Sequence, residues 1–381
     1  MNEIKMCCKP SVYFTILLSI FSMSCSVLKK TNTSQKSTNV ALQKTPVVTK
    51  AKVLADSIRV PAYSLPEFKT DPHARETQGN QILGVVRTML QDKSGNLWFG
   101  GQDGLGYYDG TSLAYFQIKD AFGIGITVKA IVEDKMNNIW IGHTAGITKY
   151  DGMYFTSFSE KDGLICNDVW SMAIDSTGTV WVGTLKGVNR FDGEIFTVFD
   201  IPEAEPDPTR GITSSKIVHC IMKDSKGKMW FGTNGGVYIY SQKLLSNISE
   251  KNGLCNNAVN DIMEDNSGNM WFATTHNGLC CYDGESFITL EDENVVANKE
   301  ILAVLQDKTG DIWLAVKGYG VYRYDGISFT NFHTDQGLFS HATFHIYEDQ
   351  EEQIWMVGFK GAFRYNGNSI VNITRNGPWM K

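Results

Sequence analysis

The chain contains few prolines, no basic domain and only one long apolar run, which lies near the N-terminus. The 381 residues include only 9 prolines beside 36 glycines, which is typical of many short strands joined by tight turns. From residue 76 onward, 24 Lys and Arg stand against 37 Asp and Glu. Because nucleic-acid binding requires a basic groove, this balance argues against that class of function. An acidic surface of this kind favours solubility instead.

The cysteines are too few and too irregular to predict a disulfide framework or a zinc site. Beyond the N-terminal region there are five of them: Cys166, Cys220, Cys255, Cys280 and Cys281. An odd number leaves no closed set of pairs, and the two adjacent thiols would face opposite sides of a strand. No spacing matches that of zinc ligands. We therefore expect neither a metal nor a cofactor.

What the chain does contain is one unit repeated seven times. An aspartate stands six residues before a tryptophan in every copy: Asp92/Trp98, Asp134/Trp140, Asp175/Trp181, Asp224/Trp230, Asp265/Trp271, Asp307/Trp313 and Asp349/Trp355. The intervals between successive tryptophans are 42, 41, 49, 41, 42 and 42 residues. A period in the forties, rich in aromatic and turn residues, indicates a β-propeller. We expect an all-β fold with seven blades of four antiparallel strands, repeated within 82–373.

Alternation of apolar and polar residues places four strands in the first copy, at 85–91, 96–100, 105–108 and 112–116. The aspartates open the turn between the first two strands, where their side chains can accept from nearby backbone N–H groups. Glycine normally fills the fourth place of that turn, and because Glu352 stands there in blade 7 we expect that blade to turn differently. The turn lacks the alternating oxygen ligands of calcium loops. One tryptophan per blade predicts packing between neighbouring blades.

The pattern D-x-x-G-N-[LIMV]-W-[FIV]-G-T, followed by G-[LVI]-x-x-[YF]-D-G-x-x-[FY], resembles the two-component regulator propeller repeat. Blade 3 shows it as DSTGTVWVGTLKGVNRFDGEIF. The resemblance implies a periplasmic sensor region of the kind found in hybrid histidine kinases from Bacteroidetes, many of which are thought to sense glycans. This chain departs from that layout, with one propeller and no kinase or receiver domain after Ile373. Any signalling output would therefore come from a partner.

The N-terminus resembles an export signal. The apolar run from about residue 12 to 23 is shorter than the ~20 residues that cross a bilayer and has the length of a signal-peptide core. It ends in a sequence similar to a bacterial lipobox, although Ser22 stands where leucine is commonest. We expect residues 1–24 to be a lipoprotein signal peptide and Cys25 to carry the lipid anchor. An ordinary cleaved signal peptide is the alternative.

A Ser/Thr/Lys-rich segment without aromatic residues follows the signal. Such a composition cannot bury enough apolar surface to fold, so we expect 25–62 to be a flexible tether and 63–381 to be the propeller. Nothing later in the chain predicts a membrane span, which places the propeller on the outer side of the membrane, in the periplasm or at the cell surface. Either the segment 63–70 or Trp379 could close the ring, and the sequence does not choose between them.

Candidate ligand-binding residues are those that vary within a fixed frame. In each inner strand, the position after a conserved apolar or threonine residue reads, from blade 1 to blade 7, Arg87, Lys129, Trp170, His219, Asn260, Leu302 and Phe344. Such a position suits a channel rim that a ligand contacts, although outward-facing positions under no constraint would vary as well. All except Leu302 are taken as candidates.

The loops between second and third strands add polar and aromatic candidates. These are Gln102, Asp103, His143, Lys186, Asn234, His276, Lys317, Tyr319 and Lys360. Aromatic and amide side chains with a few charges suit a sugar, through stacking and hydrogen bonds. An insertion at 201–216 lengthens the interval before blade 4 and is either a functional or a plain solvated loop.

No catalytic constellation is visible. A sialidase would require an arginine cluster. A lyase of the streptogramin-inactivating type would use a histidine and an acid over a metal. By position, the candidates for that histidine are His143, His276 and His341. We expect a lipid-anchored, extracytoplasmic ligand-binding or sensor propeller, for a small molecule or an oligosaccharide, and not an enzyme. A protein-interaction scaffold for an envelope partner is the alternative.

Overall fold

Antiparallel sheets make up nearly all of the chain that the structure describes. The computed structural model describes residues 28–31, 38–40, 60–61 and 79–379, apart from 103, 117, 119–124, 207, 210–212, 291–294, 334–336 and 339. Three short strands come first, β1 (Leu28–Thr31), β2 (Thr38–Val40) and β3 (Val60–Pro61). They pair with the outer strands of blades 5, 4 and 2, respectively. Residues 1–27, including Cys25, lie outside the described residues, so the signal peptide, the lipidation and the domain boundary at 62 stay predictions.

Seven blades follow, each with four strands in chain order from the inside of the ring outward. Blade 1 contains β4 (Val86–Gln91), β5 (Leu97–Gly101), β6 (Gly104–Tyr108) and β7 (Leu113–Phe116), and blade 2 contains β8 (Val128–Glu133), β9 (Ile139–His143), β10 (Gly146–Tyr150) and β11 (Tyr154–Phe158). Blade 3 contains β12 (Val169–Ile174), β13 (Val180–Thr184), β14 (Gly187–Phe191) and β15 (Phe196–Phe199), and blade 4 contains β16 (Val218–Lys223), β17 (Met229–Thr233), β18 (Gly236–Ser241) and β19 (Leu244–Ile248).

Blade 5 contains β20 (Val259–Glu264), β21 (Met270–Thr274), β22 (Leu279–Tyr282) and β23 (Phe287–Leu290), and blade 6 contains β24 (Ile301–Gln306), β25 (Ile312–Val316), β26 (Gly320–Tyr324) and β27 (Phe329–Phe332). Blade 7 contains β28 (Thr343–Glu348), β29 (Ile354–Gly358), β30 (Gly361–Tyr365) and β31 (Ile370–Ile373). Single 3₁₀ turns at Glu160–Asp162 and Glu250–Asn252 precede blades 3 and 5. The predicted seven-bladed, four-stranded propeller with contiguous blades is confirmed.

One hydrogen bond explains the constant spacing of six residues. In every blade the indole Nε1 of the repeat tryptophan donates to Oδ2 of the repeat aspartate, at 2.7–3.0 Å. The other carboxylate oxygen accepts from the backbone N–H groups two and four residues further on, as Asp92 does from Ser94 and Asn96. The aspartates are therefore turn residues, as predicted. Their bond to the tryptophan was not foreseen.

The tryptophans also pack between blades, as predicted. Trp98 lies with its ring centroid 5.7 Å from that of Tyr150 in blade 2, and Trp313 lies 5.4 Å from Tyr365 in blade 7. The seven indole rings are almost completely buried. The same side chain therefore joins its own turn to the neighbouring sheet.

The turn of blade 7 does not differ from the others, so that prediction is wrong. Glu352 has a φ of 63°, close to the 62° of Asn137 in blade 2, and its N–H donates to the Asp349 carbonyl at 3.1 Å. A left-handed conformation costs a residue other than glycine about 1–2 kcal/mol. The hydrogen bonds that Asp349 accepts from Glu351, Gln353 and the indole hold the turn in this conformation despite that cost.

A second set of bonds links the turns of blades 1, 4, 5, 6 and 7 to the next blade. The last residue of the inner strand accepts from a backbone N–H in the turn of the preceding blade. The pairs are Lys93 to Glu133, Ser225 to Glu264, Asn266 to Gln306, Lys308 to Glu348 and Gln350 to Gln91, at 2.6–3.1 Å. The last of these joins blade 7 to blade 1. We call this end of the ring, which carries the aspartate turns, the turn face.

The chain closes the ring with Trp379, one of the two alternatives left open by the sequence. Its ring stacks on Tyr108 of blade 1, with centroids 4.2 Å apart, while its carbonyl accepts from Arg364 of blade 7 at 2.6 Å. Arg375 adds bonds from its Nε and backbone N–H to the carbonyls of Gln81 and Asn80. The seam is therefore bridged by the C-terminal segment. The other alternative, 63–70, lies outside the described residues.

One disulfide is present, although the odd number of cysteines did not predict any particular pairing. Cys255, in the approach to blade 5, is bonded to Cys280 of β22, and the other described cysteines are free. In blade 3 the same connection is made by an amide. Asn189 accepts from the N–H of Ile165 at 2.8 Å and donates to Gly163. Cys280 and Cys281 belong to hydrophobic clusters on opposite sides of blade 5, as predicted.

Replacing the carboxylate of one repeat should destabilise the ring strongly. Asp265→Ala leaves the indole N–H of Trp271 and two backbone N–H groups without their acceptor, and we expect the free energy of unfolding to fall by about 2–4 kcal/mol. Asp283→Ala, which removes an exposed turn carboxylate from the same blade, should lower it by no more than about 1 kcal/mol. Denaturant unfolding followed by tryptophan fluorescence measures both. Equal losses would contradict the role given to the indole bond.

Removing the closing tryptophan should open the seam. For Trp379→Ala we expect a loss of about 2 kcal/mol, because a half-buried ring that stacks on Tyr108 is removed. Tyr319→Ala, which removes an exposed ring elsewhere, should be nearly neutral. Calorimetric melting temperatures of the two variants test this. A Trp379→Ala variant as stable as the Tyr319→Ala control would show that the ring closes without this residue.

The disulfide of blade 5 should be replaceable by the amide of blade 3. Cys255→Ala with Cys280→Ala is expected to lower stability by about 3 kcal/mol, because the bond closes a loop of about 26 residues in the unfolded chain. Cys255→Ile with Cys280→Asn introduces the blade 3 residues and should recover about 1 kcal/mol through the new hydrogen bonds. Denaturant midpoints without reductant measure the difference. If both double variants have the same midpoint, the two connections are not equivalent.

Candidate functional site

The variable position of the inner strand is a β-bulge in all seven blades. The pairing of inner and second strands skips one residue at the start of every inner strand. The skipped residues are Arg87, Lys129, Trp170, His219, Asn260, Leu302 and Phe344. A bulge leaves its residue outside the ladder and turns its side chain away from the regular alternation. The sequence identified this position by its variation but did not reveal the bulge.

The bulges lie at the end of the ring opposite the turn face. At that end the second strand finishes, and the N–H of the next residue donates to a carbonyl just before the bulge, as Gln102 does to Val85 and Lys317 to Glu300 at 3.0 Å. The loops between second and third strands therefore lie beside the bulges. We call this end the bulge face.

Bulge residues of neighbouring blades contact one another. The Arg87 guanidinium carbon lies 4.9 Å from the ring centroid of Phe344, and Lys129 Nζ lies 4.0 Å from that of Trp170. Trp170 in turn meets His219 edge to face, with centroids 6.0 Å apart. Residues from blades 7, 1, 2, 3 and 4 thus form two cation–aromatic pairs and one aromatic pair along the channel mouth. Asn260 instead donates to the Ile301 carbonyl at 2.7 Å.

Asp168, which sequence reasoning missed, connects two of these side chains. Its Oδ1 pairs with Lys129 Nζ at 2.5 Å, and its Oδ2 accepts from Trp170 Nε1 at 3.1 Å. Burial lowers the pKa of Lys129, and the bond and charge of Asp168 partly oppose that shift. The only signal in the sequence is that Asp168 stands two residues before a bulge position. Its bond to the neighbouring blade depends on the curvature of the ring.

His143 is a structural residue of the sheet and is not available to a ligand. It is 2% exposed; its Nε2 bonds Thr148 at 2.9 Å and its Nδ1 accepts from the N–H of Ala145 at 3.1 Å. Burial lowers its pKa to about 3. Thr184 accepts from the corresponding N–H in blade 3. The prediction that His143 lies at the channel rim is therefore corrected. Threonine stands at the same repeat position in other blades, and this alignment indicated a structural residue.

The other predicted loop residues divide into buried and exposed ones. Asn234 is buried, where its Oδ1 lies 2.9 Å from His219 Nε2 and its Nδ2 donates to Thr213. Gln102 and His276 are exposed, and Tyr319 is 52% exposed, with Lys299 Nζ 4.2 Å from its ring centroid. Asp103 lies outside the described residues, as do Asp207 and Arg210 of the insertion.

An exposed aromatic side chain that the sequence did not single out completes the bulge face. Phe359, in the loop after β29, is 42% exposed and lies 5.2 Å, centroid to centroid, from Phe344. The apolar part of the face therefore extends from the channel mouth outward along blade 7. The sequence prediction for this loop named only its neighbour Lys360.

The histidines expected for a lyase are not brought together. His143 is held inside blade 2, while His276 is exposed in the loop between β21 and β22 of blade 5 and His341 is exposed in the loop that leads into blade 7. In the part of the chain that the structure describes, no group of three His, Cys, Asp or Glu side chains could hold a metal ion. Within the same residues, no helix is both long and apolar enough to span a membrane.

A family model described as two component regulator propeller matches residues 81–103, 163–186, 211–235 and 253–276. These segments cover the approach, the inner strand with its bulge and the second strand of blades 1, 3, 4 and 5. In these four blades the chain is similar to the two component regulator propeller repeat. The resemblance seen in the sequence is thereby confirmed for four of the seven blades. None of the curated proteins matches the sequence significantly.

Solved propellers share the fold of these repeats. A structure described as the extracellular domain of the one component system BT4673 from B. thetaiotaomicron is 22% identical over 75% of this chain and 38% of its own, with a TM-score of 0.59. The extracellular domain of the hybrid two component system BT3049 from the same organism is 23% identical over 76% of this chain and 40% of its own, with a TM-score of 0.60. This chain spans about two fifths of their length. A streptogramin B lyase is also similar, at 14% identity over 74% of this chain and 93% of its own, with a TM-score of 0.57.

Proposed function

We propose that this protein is an extracytoplasmic ligand-binding or sensor propeller, anchored to the membrane by a lipid on Cys25, and that it binds a glycan at the bulge face. The observation that carries the proposal is the set of seven bulges. The backbone is the same in every blade, whereas the side chain that the bulge presents is different in every blade. A constant backbone frame that presents a different side chain in each blade is suited to the recognition of one specific ligand.

The chemistry of the bulge face fits a sugar. Trp170, Phe344, Phe359 and Tyr319 provide aromatic surfaces on which the C–H faces of a pyranose ring can stack. Gln102 and His276, which are exposed on the same face, provide donors and acceptors for hydroxyl groups. A few convergent polar groups among aromatic side chains are typical of small-molecule sites. The sensor-domain structures with the same fold support an extracytoplasmic location.

The alternative of a protein-interaction scaffold would require a contiguous apolar surface. On the turn face, the exposed large apolar side chains are Met136, Met153, Leu244 and Ile327. They stand at the tips of turns in three different blades, and single exposed apolar residues are normal on protein surfaces. The proposal therefore remains with the bulge face.

Thermal-shift screening of the purified protein against neutral and acidic oligosaccharides, followed by calorimetric titration of any hit, tests this function. We expect at least one saccharide to raise the melting temperature, since a ligand at 100 times its Kd stabilises a protein by about 2.7 kcal/mol. Trp170→Ala and Phe359→Ala should each weaken binding by about tenfold through lost stacking. Met153→Ala, on the turn face, is the control and should leave the Kd unchanged.

No shift with any saccharide would refute the glycan proposal. A hit that Met153→Ala weakens as much as Trp170→Ala would show that the sugar binds away from the bulge face.

A further inference from the structure

We propose that the ligand of the bulge face carries an isolated carboxylate, as an oligosaccharide containing a uronic acid does, and that the guanidinium of Arg87 binds it. This inference rests on the proposed function and specifies its ligand. It begins from a donor in the channel mouth that the protein leaves without an acceptor.

Arg87 differs from the other buried arginines in its hydrogen bonding. Its Nε is buried and has no hydrogen-bond partner among the residues that the structure describes. Arg364 and Arg323 also have an unbonded Nε, but Arg364 donates through Nη1 to the Trp379 carbonyl, and Arg323 lies 3.6 Å from the Asp311 carboxylate. Arg87 instead lies with its guanidinium over the Phe344 ring. The planar fork is therefore held in place by an aromatic face and keeps donors for a ligand.

The carboxylate near Arg87 is already occupied. Asp168 attracts Arg87 electrostatically, but one of its oxygens is paired with Lys129 and the other accepts from the indole of Trp170. Two cations therefore share one carboxylate at the channel mouth. Burial lowers the pKa of Arg87, and the charge of Asp168 partly opposes that shift. An anionic ligand would supply acceptors for the N–H groups of Arg87.

The geometry favours a carboxylate beside a sugar ring. A guanidinium binds a carboxylate through two parallel N–H···O bonds, which a lysine cannot do. Phe344, beneath the guanidinium, is in contact with the exposed ring of Phe359. A saccharide whose carboxylate meets Arg87 would thus have an aromatic surface next to it for the rest of the ring.

The charge of the propeller argues for an isolated negative charge over a dense polyanion. From residue 76 onward, acidic residues outnumber basic ones by 37 to 24. A densely charged polymer would be repelled by such a surface. A single carboxylate that reaches Arg87 is attracted at short range, where the contact is shielded from solvent ions.

The test compares trisaccharides that contain a single uronate, which is galacturonate, glucuronate or mannuronate, with their carboxyl-reduced, neutral counterparts by calorimetric titration. We expect the purified protein to bind at least one uronate about tenfold more tightly than its neutral counterpart, because a hydrogen bond to a charged group is lost on reduction. Arg87→Gln should abolish this preference, and Arg87→Lys should retain only part of it. Arg190→Gln, which removes a guanidinium that lies over Trp181 away from the channel, is the matched control.

The outcomes separate this inference from the function on which it rests. If uronates and neutral saccharides bind equally well, the carboxylate site is wrong and glycan binding stands. If none of the trisaccharides and no other saccharide binds, both fail. Inorganic phosphate or citrate that binds as tightly as the best uronate would also overturn the inference, because the site would then recognise an anion without a sugar.

A stability measurement provides a second, ligand-independent criterion. Because the buried guanidinium lacks acceptors, Arg87→Met should leave the melting temperature unchanged or raise it in the absence of ligand. A structural arginine would behave in the opposite way. A clear fall in melting temperature, comparable to that of Trp379→Ala, would show that Arg87 supports the fold and would overturn the inference.

Discussion

The hydrogen bond between the repeat tryptophan and the repeat aspartate is the constraint on which this ring depends. The carboxylate accepts from one indole N–H and two backbone N–H groups in every blade, so a single side chain fixes the turn and orients the largest ring of the blade. Because the ring also packs against the next blade, local turn geometry and the angle between blades are coupled. This coupling explains why the six-residue spacing never varies and why Glu352 can occupy a left-handed position.

The two ends of the ring carry different constraints. At the turn face, the aspartate turns and, in five blades, the bonds from the turn to the next inner strand restrict which residues are possible. At the bulge face, the backbone is fixed by carbonyl bonds that involve no side chain, and the bulge residue lies outside the ladder. Substitutions there do not disturb the pairing. Variation is therefore tolerated at one end of each inner strand because the other end holds the structure.

The sequence predicted the fold well and the site only in part, for physical reasons. The repeat spacing, the turns and the tryptophan packing are local patterns, and the structure confirmed them. The bond between Lys129 and Asp168 depends on how one blade lies beside the next, which no local pattern reports. His143 was misplaced because a loop position and the last residue of a strand differ only in their hydrogen bonds. The pairing of Cys255 with Cys280 was missed because the two residues stand 25 positions apart and meet only where the approach to blade 5 lies beside its third strand.

An acidic ring with one uncompensated guanidinium at its mouth combines two opposing electrostatic effects. At distances beyond the Debye length of about 8 Å, the surface charge is screened and neither attracts nor repels a ligand strongly. At contact, the aromatic face under Arg87 excludes water and strengthens the interaction with an anion. Selectivity at such a site therefore arises from short-range geometry, because the long-range field is screened. A ligand with one well-placed carboxylate satisfies both conditions, whereas a neutral sugar leaves the guanidinium unbonded and a polyanion meets the acidic surface.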